Sequence, residues 1–140
     1  APAKLSAAVR AAHQFITFAT ATPLQHGAAV ALAAGPDYFE LLNESYRRRR
    51  DYLVRELAHI GFRVRPPAGT YYVCADFTPL GFKDDVAFCR HLIEKIGVAA
   101  IPPSAFYKNT RYGKSYARFA FCKKDETLET AVARLRRLCE

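Results

Sequence analysis

Residues 97–122 read GVAAIPPSAFYKNTRYGKSYARFAFC. Two short apolar runs, which are typical of strands, enclose a polar loop that contains prolines and tyrosines. In the second run Phe119 and Phe121 fall on one face of a strand and Arg118 falls on the other, because successive side chains point to opposite faces. The pattern therefore predicts an arginine in the middle of a strand.

The guanidinium of Arg118 is the first candidate for a functional group. Among apolar neighbours it loses hydration, so it normally requires a carboxylate or a phosphate that fills its planar fork. The residues alone leave three environments open: the solvent face of an edge strand, an ion pair with an acidic residue of the chain, or a ligand site.

The surrounding residues predict a small α/β layer. Further strands are expected over 63–65, 70–77 and 98–101. Asp84 should cap a helix that Gly97 ends, and a last helix is expected over 125–138. The apolar residues predicted to face the core from these two helices are Val86, Cys89, Leu92, Ile93, Ile96, Leu128, Val132, Leu135 and Leu138.

The first part of the chain predicts helices only. Apolar periodicity indicates helices over 4–18 and 24–34, the second with Thr22 as its N-cap and Pro23 at its first position. A third helix over 37–60 would be about 36 Å long, and Gly61 should end it. The chain thus divides near residue 35, and its first two helices resemble the end of a larger domain that lies outside this sequence.

Charge and composition bear on the class of partner. The chain carries 21 Lys and Arg against 13 Asp and Glu, and four arginines follow one another at 47–50. Because four successive residues cover every side of a helix, these arginines cannot form one basic stripe, and we expect no nucleic-acid partner. No apolar run approaches the roughly 20 residues that span a bilayer, so no membrane association is expected.

The cysteines indicate reduced thiols. Cys74, Cys89, Cys122 and Cys139 are widely spaced, without a CxxC pair. Three of the four fall in apolar periodic segments, which favours buried, reduced thiols in a cytoplasmic protein over disulfides or a zinc site. The sequence also contains no methionine and begins Ala-Pro-Ala, from which we expect a fragment or a processed product.

Several stretches in register resemble one enzyme family. They are GTYYVCADF from Gly69, DDVAFCRHLIEKIGVAAIPPSAFY from Asp84, ARFAFCKKDETLETAVARLRRL from Ala117 and FATATPLQHGAAVAL from Phe18. In this order they resemble the C-terminal part of the class I, fold type I pyridoxal-phosphate aminotransferases, in the branch of the kynurenine and methionine aminotransferases. The resemblance covers effectively the whole chain.

The resemblance implies an α/β fold and a homodimer whose subunits each have a large and a small domain. Residues 1–35 would be the last helices of the large, cofactor-binding domain, and residues 36–140 would be the small domain, with the long linking helix 37–60. The parent enzyme would bind pyridoxal 5'-phosphate and move an amino group from a methionine-, kynurenine- or aromatic-like amino acid to a 2-oxo acid.

The resemblance also assigns site residues. Arg118 matches the arginine that binds the substrate α-carboxylate, and Tyr107 is a further candidate for the substrate pocket, together with Tyr71, Tyr72 and Tyr112. The Schiff-base lysine, the aspartate that pairs with the pyridine nitrogen and the main phosphate-binding residues precede position 1 in the family's order. We therefore expect no catalytic lysine, no cofactor-binding residue and no metal site in this chain, and no activity from the chain alone.

Another class of function stays open at this point. A free-standing small-ligand-binding α/β module could keep the carboxylate-binding arginine without catalysis. Saturable binding of amino acids to the chain, lost in Arg118→Ala, would favour that alternative.

Overall fold

The computed structural model describes residues 1–139, and contacts divide the chain into two compact units, residues 1–40 and 41–140. The boundary falls inside the third helix. The helices are α1 (Ala3–Thr17), α2 (Thr22–Leu32), α3 (Pro36–Ile60), α4 (Asp85–His91) and α5 (Asp125–Leu135). The strands are β1 (Arg63–Val64), β2 (Tyr72–Asp76) and β3 (Tyr116–Ala120).

The first unit consists of α1, α2 and the start of α3. No residue of α1 or α2 is buried, although both helices form at the predicted places. The prediction that Thr22 is an N-cap is wrong, since Ala21 holds that position and Thr22 lies inside the helix. The Ala21 carbonyl accepts hydrogen bonds from the backbone N–H groups of Leu24 and Gln25, so the first turn closes one residue earlier than expected.

In the second unit α3 supplies one wall of the core. Its last turns bury Leu53, Leu57 and Ile60, which recur at helical spacing. Gly61 then ends the helix with a φ of 108°, a conformation that favours glycine, as predicted. The interior of this unit is formed by large apolar side chains, including Phe77, Phe88, Phe121, Leu57, Leu92 and Leu135.

The three strands form an antiparallel sheet in the order β1, β2, β3. The predicted strand over 98–101 is wrong, because only Ile101 makes a bridge, to Arg118 of β3. Two causes are visible. The Val98 N–H bonds back to the Leu92 carbonyl at the helix end, and Pro102 and Pro103, which lack an N–H, prevent the ladder from continuing.

The α4 segment is capped and ended as the sequence predicts. The Asp84 carboxylate accepts a 2.9 Å hydrogen bond from the Ala87 N–H, a π-helical turn Leu92–Ile96 follows, and Gly97 ends it with a φ of 77°. The prediction that Val86 and Ile93 face the core is wrong, as they are 47% and 57% exposed. Each follows a buried residue directly, so helical geometry turns it about 100° away from the core.

The chain closes on α5 and a 3-10 turn, Arg136–Cys139. Leu128, Val132 and Leu135 are buried, and Leu138 packs against the core in a half-buried position, which confirms the predicted inward face. Within residues 1–139, no helix is both long enough and apolar enough to cross a membrane.

Candidate functional site

Arg118 occupies the centre of β3 and is held on both sides by backbone hydrogen bonds. Cys74 of β2 lies opposite it in register. On the other side Arg118 and Ile101 exchange two N–H to carbonyl bonds of 3.0 Å. Phe119 and Phe121 are buried while Arg118 is half-buried on the opposite face, which confirms the predicted alternation.

Two aromatic rings contact the guanidinium of Arg118. Its Cζ lies 4.2 Å from the centroid of the Tyr72 ring and 4.6 Å from that of Phe106. Tyr72 stands on the neighbouring strand, and Phe106 ends the 3-10 turn Pro103–Phe106 in the following loop. We call Tyr72 and Phe106 the aromatic clamp. Each ring attracts the cation, and one such cation–π contact contributes about 0.5–2 kcal/mol. The two rings together restrict the rotation of the guanidinium.

Arg118 has no acidic partner within residues 1–139. Its Nε is buried and makes no hydrogen bond, and the ion pairs in this part of the chain do not include it. Other arginines of the second unit behave differently: Arg49 and Arg136, for example, bond Asp125 and Glu56. The internal ion pair that the sequence left open is therefore not formed, and a positioned guanidinium is free to receive a planar anion.

The lysines of the chain lie at the surface of the structure. All seven are exposed: Lys4, Lys83, Lys95, Lys108, Lys114, Lys123 and Lys124. An ammonium group in water keeps its proton at neutral pH, whereas a covalent carrier of an aldehyde cofactor needs a dry pocket that lowers the lysine pKa. These residues do not fit the covalent attachment of pyridoxal phosphate. Within residues 1–139 no cluster of His, Cys, Asp and Glu is placed to hold a metal ion either.

Comparison with known proteins shows the family to which this chain is similar. The family model described as aminotransferase class I and II matches residues 1–135. The chain belongs to the class I and II aminotransferases. This membership confirms the resemblance seen in the sequence.

Similar proteins include several named aminotransferases. A probable N-succinyldiaminopimelate aminotransferase of Mycobacterium tuberculosis is 43% identical over 99% of this chain and 37% of its own length. Methionine aminotransferase of Escherichia coli is 40% identical over 99% of this chain and 36% of its own. Kynurenine–oxoglutarate transaminase of Dictyostelium discoideum is 31% identical over 93% and 34%.

Solved structures agree in fold. The N-succinyldiaminopimelate aminotransferase of M. tuberculosis superposes with a TM-score of 0.85 and 45% identity, covering 98% of this chain and 36% of that one. Aspartate aminotransferase of Thermus thermophilus with maleate gives a TM-score of 0.64 at 30% identity, over 73% and 25%. The aminotransferase chain is thus an α/β unit like the C-terminal part of fold type I enzymes, and it spans about a third of the length of its relatives.

The predicted pocket residue Tyr107 lies beside the site. Its side chain is 48% exposed, and its ring centroid is 6.2 Å from that of Tyr112. The ring that reaches Arg118 is the preceding residue, Phe106. The sequence reasoning missed Phe106, although an aromatic residue within a polar loop is a signal that the sequence itself contains. A role for Tyr107 in substrate binding stays a prediction.

The thiols differ from the prediction in their burial. All four cysteines are free, but only Cys89 is buried, whereas Cys74 and Cys139 are exposed. The prediction of buried thiols is wrong at these exposed positions; Cys74, for example, alternates with the buried Val73 and Ala75 and therefore lies on the other face of β2. Burial, together with the carboxylate of Asp85, raises the pKa of Cys89 to about 11. Although Cys74 is exposed as a residue, partial desolvation of its thiol by neighbouring protein atoms raises its pKa, and the charge of Arg118 opposes that rise.

Three arginines of the run at 47–50 make hydrogen bonds within the chain. Arg49 Nε and Arg48 Nη2 donate hydrogen bonds of 2.8 and 2.7 Å to the carboxylate of Asp125, the first residue of α5. Arg50 bonds Asp51 and the Pro67 carbonyl. The hydrogen bond from Arg49 is the main cause of a lowered pKa at Asp125. Three of the four arginines thus fix α3 to neighbouring segments.

Proposed function

We propose that this chain is the C-terminal part of a pyridoxal-phosphate aminotransferase and that Arg118 binds the α-carboxylate of its substrates. The observation that carries the proposal is a half-buried guanidinium, fixed by an aromatic clamp and by strand hydrogen bonds, without an acidic partner in residues 1–139. In an aminotransferase chain the shared feature of both substrates, the amino acid and the 2-oxo acid, is a carboxylate next to the reacting carbon.

The physical fit is specific. A guanidinium offers two parallel N–H groups that match the two oxygens of a carboxylate, which sets the orientation of the substrate as well as its affinity. Tyr72 and Phe106 contact the guanidinium through their rings without accepting its hydrogen bonds, so its N–H groups remain for a ligand. Orientation matters because a reacting carbon displaced by about 1 Å can slow a reaction by about 10²-fold.

The cofactor belongs to residues outside this chain. Pyridoxal phosphate, when bound, supplies the electron sink for proton removal at the substrate α-carbon. The exposed lysines of this chain do not hold it. This chain contributes the arginine that binds the substrate carboxylate and the α/β unit that positions it. The proposed enzyme is a homodimer in the cytoplasm, the compartment that four free thiols favour.

The donor class follows the relatives. Proteins at 31–43% identity are named for N-succinyldiaminopimelate, methionine and kynurenine. All are α-amino acids with a long side chain, so the proposed donor is methionine-, kynurenine- or aromatic-like, and the acceptor is a 2-oxo acid. A panel that contains methionine, kynurenine, phenylalanine and N-succinyldiaminopimelate would order these donors by kcat/KM.

The test is a conservative substitution in the protein at its native length. Arg118→Lys keeps the charge and loses the fork, so we expect KM for the amino acid to rise at least about tenfold. Arg63→Lys is the matched control, because Arg63 is an exposed sheet arginine paired with Asp76. A KM in Arg118→Lys equal to that of the control would refute the proposal.

A further inference from the structure

We propose that Asp85 is a positioning residue for the carboxylate site: it holds the turn that presents Phe106 to Arg118. The role in catalysis rests on the proposed function of Arg118, whereas the structural link from Asp85 to Phe106 does not. Three contacts of the described residues support the link.

The first contact is a buried hydrogen bond from the turn to Asp85. Asp85 is the first residue of α4, and its side chain is fully buried. Its Oδ2 accepts a 2.8 Å hydrogen bond from the backbone N–H of Ser104, across 19 residues of sequence. A carboxylate acceptor makes this bond roughly twice as strong as a neutral one.

The second contact links Ser104 to the aromatic clamp. Ser104 and Phe106 belong to the same 3-10 turn, Pro103–Phe106, and the Ser104 carbonyl accepts a bond from the Tyr107 N–H. Because the turn has only four residues, the position of Ser104, its second residue, sets the position of Phe106, its fourth. Phe106 then contacts the Arg118 guanidinium at 4.6 Å.

The third contact presses on Ser104 from the following loop. A Cβ built on Gly113 would overlap the backbone N of Ser104 and the Pro103 carbonyl carbon, so these backbones pack against each other directly. Gly113 is tied in turn to the start of β3, because its carbonyl accepts a 3.0 Å bond from the Tyr116 N–H. Ser104 is therefore fixed both to α4 and to the strand that contains Arg118.

The two oxygens of the Asp85 side chain differ in their surroundings. Its Oδ1 is buried and makes no hydrogen bond within residues 1–139. Burying a carboxylate with one oxygen unpaired opposes folding, whereas an apolar residue at this position would leave the buried Ser104 N–H without its acceptor. What only an acceptor at this position provides is the bond to the Ser104 N–H, hence a fixed place for Phe106.

The experiment compares two adjacent aspartates in the protein at its native length. Asp84→Ala removes the N-cap bond to the Ala87 N–H and a long, exposed ion pair with Lys114, and Asp85→Ala removes the bond to Ser104. A single 4-fluorophenylalanine at position 106 gives a 19F resonance that reports the surroundings of the ring. KM and kcat for the amino acid are measured on unlabelled variants.

We expect Asp85→Ala to move the 19F resonance, because the ring loses its fixed place beside the Arg118 guanidinium, and to raise KM about fivefold, as for the loss of a cation–π contact at an exposed ring. Asp84→Ala should leave the resonance and KM unchanged, and Asp85→Asn, whose amide oxygen can still accept from Ser104, should restore both. A purely structural role would lower the active fraction, and so the apparent kcat, without changing KM.

An unmoved resonance in Asp85→Ala, an equal movement in Asp84→Ala, or a moved resonance with an unchanged KM would each overturn the positioning role. Should Asp85→Ala fail to fold, Gly113→Ala displaces the same turn from its other side, and the same outcomes apply. Failure of the proposed function is read separately, on Arg118→Lys, because the 19F result does not depend on substrate.

Discussion

Both units of the chain contain many apolar residues, but the two units differ in whether those side chains are buried. In residues 1–40 no residue of α1 or α2 is buried, and Phe15 and Phe18 are 82% and 92% exposed. In residues 41–140 Leu57 and Phe88 are fully buried in a continuous core. Periodicity predicted the helices in both, yet only tertiary partners decide whether a helix face is buried.

The contrast indicates where the stability of the described chain resides. A helix without buried side chains is marginal in water, while burial of a large apolar side chain contributes about 1.5–3 kcal/mol. The candidate site lies wholly in the second unit, on β2, β3 and the loop after Ile101. Paired substitutions, one in each unit, test whether the two units differ in stability in this way.

The largest difference is expected from truncating a phenylalanine in each unit. Phe88→Ala opens a cavity in the core and should lower the free energy of unfolding by about 3–5 kcal/mol. Phe15→Ala removes an exposed ring and should change it by less than about 0.5 kcal/mol if residues 1–139 contain its whole environment. Urea denaturation measures both. A large loss from Phe15→Ala would show that another surface covers α1.

A glycine pair should give effects of opposite sign. Gly97 has a φ of 77°, and a Cβ there would press on the Arg134 guanidinium at 3.3 Å, so Gly97→Ala should destabilise by about 1–2 kcal/mol. Gly27 lies inside α2 with open space around it, and Gly27→Ala should stabilise that helix by up to about 1 kcal/mol. Thermal denaturation and helix content by circular dichroism would record the signs. Destabilisation by Gly27→Ala would contradict the open space around that residue.

The smallest effect is expected in acid and involves Glu56. Its hydrogen bond from Arg136 is the main cause of a lowered pKa. A carboxylate with a lowered pKa in the folded state stabilises above its ordinary value of 4.5, and this contribution is lost as pH falls through the folded-state pKa. Glu56→Gln should therefore flatten the decline of stability below about pH 4.5.

The control for this pH dependence is Glu94→Gln. Glu94 is exposed and takes part in no ion pair within residues 1–139, so its removal should leave the acid slope in place. Unfolding free energies between pH 3 and 6 in the two variants would test the assignment. Equal slopes in the two variants would argue against the Glu56–Arg136 bond.

The sequence predicted the local elements better than the contacts between them. Alternation placed Arg118 mid-strand, and Asp84, Gly61 and Gly97 marked helix ends, because such signals involve neighbouring residues. The sequence did not predict that Arg48 and Arg49 would bond Asp125, 76 or 77 residues away. The Phe106 half of the aromatic clamp was missed for the same reason, since Phe106 meets Arg118 only after the loop folds back.

The most direct test of the central claim is substrate discrimination by carboxylate. In the protein at its native length, kcat/KM is measured for an amino acid donor and for the amine that lacks only the α-carboxylate, in wild type and Arg118→Ala. We expect wild type to favour the amino acid by about 10²-fold or more, as for loss of a paired charge, and Arg118→Ala to lose most of that preference by slowing the amino acid alone. An undiminished preference in Arg118→Ala would contradict the assignment of Arg118 as the carboxylate site.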